Sequence, residues 1–373
     1  MRITIVGAGI MGLSAARALS ARGHAVTVVE QGPVPNTDGS SVDRNRLIRY
    51  PYGPMAGYTA LVGPAYEAWE RIWEALGERL YVPTGTLVLA GGGERWAADS
   101  VDVLADQGIA HEVVAPAEVA ARFPLLDPAG IEDAVYLPSG GVLLAGRIVE
   151  TLAHRLASDG VTVLPRLAAR AVDPDAGTVD LADGRRLEGD GVVVAAGPWT
   201  RRLLPAIADR VTPSRQIVVY LSPPRDAAAG WLGMPMLVDL SPDRIFYAVP
   251  PVAGAPLKIG DHMPGNGGEP DRDREAGPEE ARAVAAHAEG RIRDFAAYHL
   301  DEARTCFYTN ETDSRFIVEP VGAAGWVMAG FSGHGFKFGP LMGEFVADAL
   351  EGRRPASAVS ALAAGRRDRD AAE

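Results

Sequence analysis

The sequence predicts an α/β fold, α+β overall, in which two domains are interleaved along a chain of 373 residues. The chain begins with a strand–turn–helix–strand pattern, and an apolar run typical of a central parallel strand follows near residue 191. The segments between and beyond these features are short and β-rich, as in a mostly antiparallel sheet. Because a single core stops growing at roughly 250 to 300 residues, the length also favours two domains.

The first βαβ unit is defined by its hydrophobic periodicity. We predict a strand at residues 2–6, an alanine-rich helix at 13–22 and a second strand at 25–30, with the turn Gly7-Ala8-Gly9-Ile10-Met11-Gly12 before the helix. Gly7 permits the tight turn, Gly9 admits a pyrophosphate, and Gly12 lets helix and strand pack closely. The turn predicts a Rossmann-like dinucleotide-binding domain whose helix N-terminus faces the phosphates.

Glu30 narrows the choice of dinucleotide. It ends the second strand, 18 residues after Gly12, where a carboxylate accepts hydrogen bonds from ribose hydroxyls. An acidic residue there disfavours the 2'-phosphate of NADP, which leaves FAD or NAD. A nicotinamide dehydrogenase continues its sheet with regular βα units, whereas this sheet is interrupted and resumes in the apolar run that ends at Gly197. The interruption suits a longer ligand that crosses two domains, so FAD is favoured.

We therefore predict a discontinuous FAD-binding domain at residues 1–80, 141–210 and 320–373. The substrate-binding domain, a mostly antiparallel β-sheet, is predicted at residues 81–140 and 211–319. The two domains alternate along the chain.

Other segments carry more specific expectations. Residues 31–57 lack periodicity and contain Arg44, Arg46 and Arg49, as a functional loop inside a compact domain would. We also predict a disordered tail after Arg353. Longer helices are predicted at residues 59–80, 145–158, 279–300 and 340–351.

The composition excludes several classes of function. A net charge of −12 is unfavourable for nucleic acid, whose phosphates require clustered cations. No stretch approaches the roughly 20 apolar residues that span a bilayer, and the N-terminal apolar run is too short for a signal peptide, so we expect a cytoplasmic protein with no membrane partner. One cysteine, Cys306, excludes an internal disulfide, and the seven histidines show no spacing that indicates a metal.

Lysine is the rarest basic residue of the chain. Lys258 and Lys337 are the only two lysines among 36 lysines and arginines. A compositional preference for Arg would replace Lys wherever the two are equivalent. A surviving Lys therefore indicates a position that requires a compact ammonium with a tunable pKa. The alternative is two accidental survivors, and composition alone does not decide between them.

Four segments carry a resemblance to a known family. They are the turn at residues 7–12, residues 45–49 with Tyr52, residues 305–309 (Thr-Cys-Phe-Tyr-Thr) and residues 330–338 (Gly-Phe-Ser-Gly-His-Gly-Phe-Lys-Phe). Over nearly its full length the sequence resembles the D-amino-acid-oxidase-like superfamily of FAD oxidoreductases, and within it the monomeric sarcosine oxidase and N-methyltryptophan oxidase group. The resemblance implies FAD, a small amino-acid substrate, O2 and a monomer.

The resemblance also implies roles for individual residues. Cys306 matches a cysteine that carries the flavin as a thioether on its 8α carbon, which requires a reachable thiolate beside positive charge. Arg49 and Lys337 match the pair that binds the substrate carboxylate. Lys258 matches a lysine near flavin N5 that promotes the reaction with oxygen, and Arg46 matches a cation that lies against the flavin. The family thus independently selects both lysines.

The remaining predicted site residues are pocket and cofactor contacts. His262 is predicted to act in catalysis, although a single His or Tyr is more often part of a core. The predicted substrate contacts also include Tyr52, Tyr247 and Tyr308. The predicted cofactor contacts, besides those of the first βαβ unit and Cys306, are Gly197, Gly333, His334, Gly335 and Lys337.

The implied reaction passes a hydride equivalent from a neutral secondary amine, N-methyl or cyclic, to flavin N5, gives an imine, and reduces O2 to H2O2. One departure leaves the substrate open, because Ser41 and Val42 stand where the family commonly has two histidines. A tailoring oxidase or dehydrogenase of a cyclic imino acid or another carboxylated amine is one alternative. A flavin-binding module without turnover is another, against which the two lysines argue.

Overall fold

The structure is a computed structural model, and it describes residues 1–261 and 267–366. Within these ranges the helices are α1 (Ile10–Ser20), α2 (Ala56–Leu76), α3 (Trp96–Asp106), α4 (Pro116–Arg122), α5 (Ala145–Ser158), α6 (Thr200–Leu203), α7 (Arg225–Trp231), α8 (Pro278–Ala286), α9 (Gly339–Leu350) and α10 (Ala356–Ala363). The strands are β1 (Arg2–Val6), β2 (Ala25–Val29), β3 (Arg46–Ile48), β4 (Tyr81–Val82), β5 (Thr86–Ala90), β6 (Glu112–Val113), β7 (Asp133–Leu137), β8 (Gly141–Leu143), β9 (Thr162–Leu164), β10 (Ala169–Asp173), β11 (Thr178–Leu181), β12 (Arg186–Glu188), β13 (Gly191–Val194), β14 (Thr212–Ser222), β15 (Met236–Asp239), β16 (Phe246–Val249), β17 (Leu257–Gly260), β18 (His299–Asn310), β19 (Ile317–Val321) and β20 (Gly325–Ala329).

A six-stranded sheet carries the first βαβ unit. Its strand order is β19-β20-β13-β1-β2-β9, and every neighbouring pair is parallel except β19 with β20. Ile3 and Ile5 of β1 pack into a core with α1, α5 and α9, whereas Val6 packs into a core with the sheet β10-β11-β12. Burial on both faces explains why β1 and β13 are nearly all apolar. The predicted central strand after residue 191 is confirmed.

An eight-stranded sheet forms the second layer of the molecule. Its order is β18-β14-β17-β16-β15-β5-β7-β6, and its neighbours are antiparallel except for the parallel pair β15 and β5. Its core side chains pack against Val119 of α4, Trp231 of α7 and Val284 of α8. The predicted fold class, a Rossmann-like part interleaved with a mostly antiparallel sheet, is therefore confirmed.

The two large sheets alternate along the chain. The six-stranded sheet takes strands from residues 2–29, 162–194 and 317–329, and the eight-stranded sheet takes strands from 86–137 and 212–310. The exact domain boundaries stay a prediction. The predicted boundary between residues 319 and 320 falls inside β19. Within the described ranges, no helix combines the length and apolarity needed to cross a bilayer.

Several predicted elements have shifted ends. α2 begins three residues before the predicted helix at 59–80 and ends at Gly77, whose φ of +71° terminates it in the left-handed conformation. β3 lies inside the predicted loop at 31–57, where it pairs with β8. α3 was not predicted.

The predicted helix at residues 279–300 is wrong in its second half. α8 ends at Ala286, and the chain then turns through Gly290 with φ +73° and Asp294 with φ +52°. Both residues lie in the left-handed region, which ends a right-handed helix. Between them Arg291 is fully buried, and its Nε donates to Asp239 Oδ2 at 2.6 Å. A buried ion pair therefore holds the bend.

The predicted disordered tail is also corrected. α10 packs against α9 and β19, with Val359 and Ala363 fully buried. Arg315 Nη1 donates to the carbonyl oxygen of Ala364 at 2.7 Å, which ties the end of α10 to the body of the protein. Because only two side chains of this short helix are fully buried, its hydrophobic periodicity is too weak to predict a helix from sequence. The prediction for residues 367–373 falls outside the described residues.

Substitution on α10 tests this packing. Val359→Asp buries an unpaired charge, and we expect it to lower the free energy of unfolding by about 3 kcal/mol or more. Ser357→Asp, at an exposed position of the same helix, should change it by less than about 0.5 kcal/mol. Urea denaturation of both variants measures the difference. Equal stability of the two variants would show that α10 does not pack as described.

Candidate active site

A cleft opens at the carboxyl ends of β1, β2 and β13. Its walls include Gly7 after β1, Glu30 after β2 and Gly197 after β13, and it encloses about 1170 Å³ including its mouth. In open α/β sheets, ligands bind in the crevice outside the carboxyl ends of the strands. The cleft therefore lies where a dinucleotide is expected.

Two glycines of the first turn are required by the geometry. Gly7 has a φ of +110°, and a Cβ at Gly12 would lie 1.9 Å from the carbonyl oxygen of Gly7. No side chain fits at Gly12, so the turn and α1 approach as closely as a dinucleotide-binding turn needs. Gly9 precedes α1 and lines the cleft, which leaves the helix N-terminus open on that side.

Glu30 is fixed by three hydrogen bonds and is 7% exposed. Its Oε2 accepts from the N–H of Ala8 at 2.9 Å. Its Oε1 accepts from the N–H of Gly32 and from Nδ2 of Asn36, both at 2.9 Å. Because a carboxylate offers about four acceptor positions, these bonds orient Glu30 and leave capacity for the hydroxyl groups of a ribose.

Ser41 and Val42 also line this cleft. The Oγ of Ser41 accepts a hydrogen bond from the N–H of Ile10 at 2.9 Å. That N–H is one of the donors that the first turn of α1 leaves without an intrahelical partner. Ser41 therefore stabilises the phosphate-facing turn, which is a structural role for one of the two residues that depart from the family pattern.

A second cavity of about 1340 Å³, including its mouth, adjoins the first. The two share Arg46, Tyr308, Gly333 and Phe336 in their linings, so an elongated ligand can extend from one into the other. Among the described residues, the lining of the second cavity contains one carboxylate, Asp43. Its lysines and arginines are Arg46, Arg49, Lys258 and Lys337.

Arg49 and Lys337 form one pair of cations in this cavity. Lys337 is 4% exposed, and its Nζ donates to the hydroxyl of Tyr52 at 2.8 Å and to the carbonyl oxygen of His334 at 3.1 Å. Arg49 donates to the carbonyl oxygen of Pro51, and its guanidinium lies 5.1 Å from the ring centre of Tyr52.

The pair has neutral partners throughout the described part of the chain. Burial, assisted by the charge of Arg49, holds the pKa of Lys337 well below its ordinary value. Burial also lowers the pKa of Arg49. A buried and a partly buried cation without a counter-ion are costly, and a bound anion relieves that cost. The pair is therefore suited to bind a carboxylate.

Lys258 and Arg46 form a second pair, and this pair shares a carboxylate. Lys258 is 2% exposed, and its Nζ donates to Asp43 Oδ2 at 2.6 Å. Arg46 Nη1 donates to the same oxygen. Burial opposes ionisation of Asp43, but the two cations outweigh it and hold the pKa of Asp43 well below its ordinary value. Asp43 therefore stays charged between them.

Cys306 lies on β18 and lines the second cavity beside Arg46. Its Sγ is 3.8 Å from Nη2 of Arg46, and the side chain is only partly buried. The one cysteine of the chain is thus reachable from the cavity and has positive charge next to its sulfur. This is the environment in which a cysteine reacts as a nucleophile.

The predicted tyrosines, Tyr52, Tyr247 and Tyr308, all line the second cavity. Burial raises the pKa of each phenol above its ordinary value. The phenols therefore stay protonated at neutral pH and serve as hydrogen-bonding walls rather than as bases.

The other predicted site residues are distributed over both cavities. Gly335 lines the first cavity with Gly197, and Gly333 lines both. His334 lines the second, where its Nδ1 is 3.2 Å from the hydroxyl of Tyr52 and its Nε2 is 3.0 Å from a backbone carbonyl oxygen, that of Ser314. His262 lies outside the described residues.

The sequence did not reveal every residue at the site. Asp43 was missed, although it stands three residues before Arg46. Tyr220, whose hydroxyl donates to Asp43 Oδ1, and Trp96, which lines the cavity beside Arg49, were missed as well. Within residues 1–261 and 267–366, no group of three His, Cys, Asp or Glu side chains is arranged to hold a metal ion.

The sequence is similar to those of named oxidases. It is 28% identical to the monomeric sarcosine oxidase of Bacillus sp. (strain B-0618), over 94% of this chain and 92% of that protein. It is 25% identical to the N-methyl-L-tryptophan oxidase of Yersinia pestis (strain Pestoides F), over 92% and 93% of the two chains.

Solved structures share the fold. L-Proline dehydrogenase from P. horikoshii has a TM-score of 0.82 at 21% identity and covers 95% of this chain and 94% of its own. NikD, an unusual amino acid oxidase essential for nikkomycin biosynthesis, has a TM-score of 0.80 at 18% identity with coverage of 95% and 94%. At these identities the likeness establishes the architecture alone.

The pattern of the family described as DAO, FAD dependent oxidoreductase, matches residues 2–349. The match confirms the resemblance inferred from the four sequence segments. The glycine turn, Glu30 and the cleft that adjoins a second cavity fit a long dinucleotide such as FAD. The chain belongs to the family of FAD dependent oxidoreductases.

Proposed function

We propose that this enzyme oxidises amino acids whose amine is secondary, either N-methylated or cyclic, and reduces O2 to H2O2. The observation that carries the proposal is the pair of cations formed by the partly buried Arg49 and the buried Lys337. Their partners are neutral, and they face the same cavity as Lys258 and Cys306. The names of two relatives support it, since sarcosine and N-methyl-L-tryptophan are both N-methyl amino acids.

The substrate carboxylate binds between Arg49 and Lys337. A guanidinium makes a bidentate contact with a carboxylate, and an ammonium adds a compact charge. Because the hydroxyl of Tyr52 already holds the Lys337 ammonium at 2.8 Å, this side chain is oriented before the substrate arrives. These contacts fix the position of the amino acid in the cavity.

The same charges select the neutral form of the amine. Arg49 and Lys337 disfavour a further positive charge nearby, so they lower the pKa of a bound amine. The neutral amine has a free lone pair, which oxidation of the adjacent C–H bond requires. FAD held along the glycine turn, Glu30 and Arg46 would supply the redox chemistry, as an acceptor of the hydride equivalent from that carbon whose electrons would go to O2. The imine product hydrolyses in water.

Lys258 and Arg46 act on the flavin side of the cavity. We propose that Arg46 stabilises negative charge on the reduced ring and that the Lys258 ammonium stabilises the negative charge that develops on oxygen. We also propose that Cys306 attaches the flavin covalently. A monomer is proposed because the Bacillus relative is named as one.

A peroxide-coupled screen of N-methyl, cyclic and primary amino acids tests the function directly. We expect H2O2 from at least one secondary amino acid at a much higher kcat/KM than from the corresponding primary one. A preference for cyclic substrates such as proline would show that the amine of the substrate is cyclic rather than N-methylated. A yellow, fully loaded enzyme that no secondary amino acid reduces would contradict the proposal.

Acid precipitation tests the covalent link. We expect the yellow colour of the wild-type protein to stay with the precipitated polypeptide, because a thioether survives denaturation. In Cys306→Ala the flavin should appear entirely in the supernatant. Flavin that leaves the wild-type protein on precipitation would show that the cofactor is not covalently bound.

Arg49→Ala tests carboxylate recognition. Loss of a charge-assisted contact should raise KM for an amino-acid substrate by about 100-fold. The matched control is Arg71→Ala, because Arg71 is an exposed arginine paired with Glu344 on the surface, and it should keep wild-type kinetics. Steady-state kinetics give the comparison, and an unchanged KM in Arg49→Ala would remove this residue from the carboxylate site.

The pH dependence of anion binding tests Lys337. The side chain is charged below its pKa and neutral above it, and burial together with Arg49 lowers that pKa. The affinity for propionate, which has a carboxylate and no amine, should therefore fall as the pH rises through this lowered pKa, at a lower pH than an ordinary lysine would lose its charge. Perturbation of the flavin absorbance measures the affinity for propionate at each pH. Lys337→Met should bind weakly with no such dependence, and an unchanged pH profile in this variant would contradict the assignment.

A further inference from the structure

Asp43 is a buried carboxylate whose acceptor positions are all used by groups around the flavin side of the second cavity. It is 6% exposed. Its Oδ2 accepts from Lys258 Nζ at 2.6 Å and from Arg46 Nη1. Its Oδ1 accepts from the hydroxyl of Tyr220 and from the N–H of Arg44 at 2.7 Å. Four donors from three segments thus converge on one side chain.

Lys258 depends on this carboxylate for its charge. Among the described residues, Asp43 is the one carboxylate within 4.0 Å of Lys258 Nζ. Burial lowers the pKa of Lys258 and the neighbouring Arg46 guanidinium lowers it further, whereas Asp43 raises it. Without Asp43 the ammonium would face desolvation and a like charge together, and it would release its proton far more readily.

The other titratable groups near Lys258 do not replace Asp43. Tyr220 lies opposite Lys258 in the β14–β17 register, and the Tyr247 ring centre is 5.6 Å from Nζ. Burial raises the pKa of both phenols, so both are neutral. Cys306 of β18 lines the same cavity, and covalent attachment to the flavin would leave it without an ionisable thiol. Arg304 Nη1 is 4.0 Å from Asp43 Oδ1 and adds only positive charge.

We propose that Asp43 is a positioning residue that keeps Lys258 protonated and aims its ammonium at the site where oxygen reacts. The inference rests on the proposed function, because it assumes that Lys258 promotes the reaction with O2. Asp43 acts through Lys258 and Arg46 and need not touch the substrate. Its carboxylate keeps Lys258 charged to a higher pH than burial and the neighbouring Arg46 would otherwise allow.

The scarcity of lysine makes the charge of Lys258 directly measurable. Protein labelled with 13C at the lysine ε carbon has signals from two residues, Lys258 and Lys337, which Lys258→Met assigns. In the holoenzyme we expect Asp43→Asn to lower the pKa of Lys258 relative to wild type and to leave the titration of Lys337 unchanged. Glu302→Gln is the matched control, because it removes a nearby carboxylate that lies at the surface and pairs with Arg44, and it should leave both titrations unchanged.

The oxygen reaction gives a second readout. In wild type the rate of reoxidation of the reduced enzyme should be maintained to a higher pH than in Asp43→Asn. In Asp43→Asn it should approach the wild-type rate at low pH and fall at least about tenfold as Lys258 loses its proton at high pH. A loss of the same size at every pH would instead indicate general damage and would overturn the proposal. Lys258→Arg, whose guanidinium does not titrate, should abolish the pH dependence in the Asp43→Asn background.

The outcomes separate the inference from the proposed function. Slow reoxidation in Lys258→Met with an unchanged Lys258 titration in Asp43→Asn would overturn the role of Asp43 and leave the oxidase proposal intact. Wild-type reoxidation in Lys258→Met would overturn the oxygen role of Lys258 itself. Asp43→Ser, which is small enough to admit a water molecule, provides the same measurements in case Asp43→Asn does not fold.

Discussion

The site depends on four cations, two buried and two partly buried, around one cavity that contains a single carboxylate among the described lining residues. The whole chain carries a net charge of −12, so the charge of this cavity is opposite in sign to that of the molecule as a whole. Buried charges are costly unless they are paired. Asp43 pairs with Lys258 and Arg46, whereas Arg49 and Lys337 are left for an external anion. In the proposed function, this division into a paired and an unpaired set separates the flavin side of the cavity from the substrate side.

The interleaved fold is what brings these cations together. Arg46 and Arg49 lie on and just after β3, Lys258 is on β17 of the eight-stranded sheet, and Lys337 lies in the turn between β20 and α9. Cys306 enters from β18. The dinucleotide cleft ends at the same place, since Arg46 and Tyr308 line both cavities. Neither large sheet holds the complete set of these residues, which come together in the lining of the second cavity.

Much of this was readable from sequence because the signals are local. The glycine turn and Glu30 predict the dinucleotide cleft within thirty residues, and the rarity of lysine marked both residues that prove to be buried in the cavity. The place of Asp43 in the site could not be predicted from sequence. Its partner Lys258 is 215 residues away, and beside three arginines an aspartate resembles a surface charge. The bend after α8 is held by a buried ion pair, and α10 is held by its packing. Both depend on long-range contacts, which a local sequence pattern does not show.

The most direct test of the central claim is anaerobic reduction of the flavin by an N-methyl amino acid and by its methyl ester. The ester keeps the amine and the reacting C–H bond but removes the carboxylate that Arg49 and Lys337 are proposed to bind. It also has the more weakly basic amine, so chemistry alone would favour it. We expect the ester to bleach the flavin at least about 100-fold less efficiently than the acid, since it loses its charge-assisted contacts with both cations. Equal rates for acid and ester would contradict the carboxylate site and the function built on it.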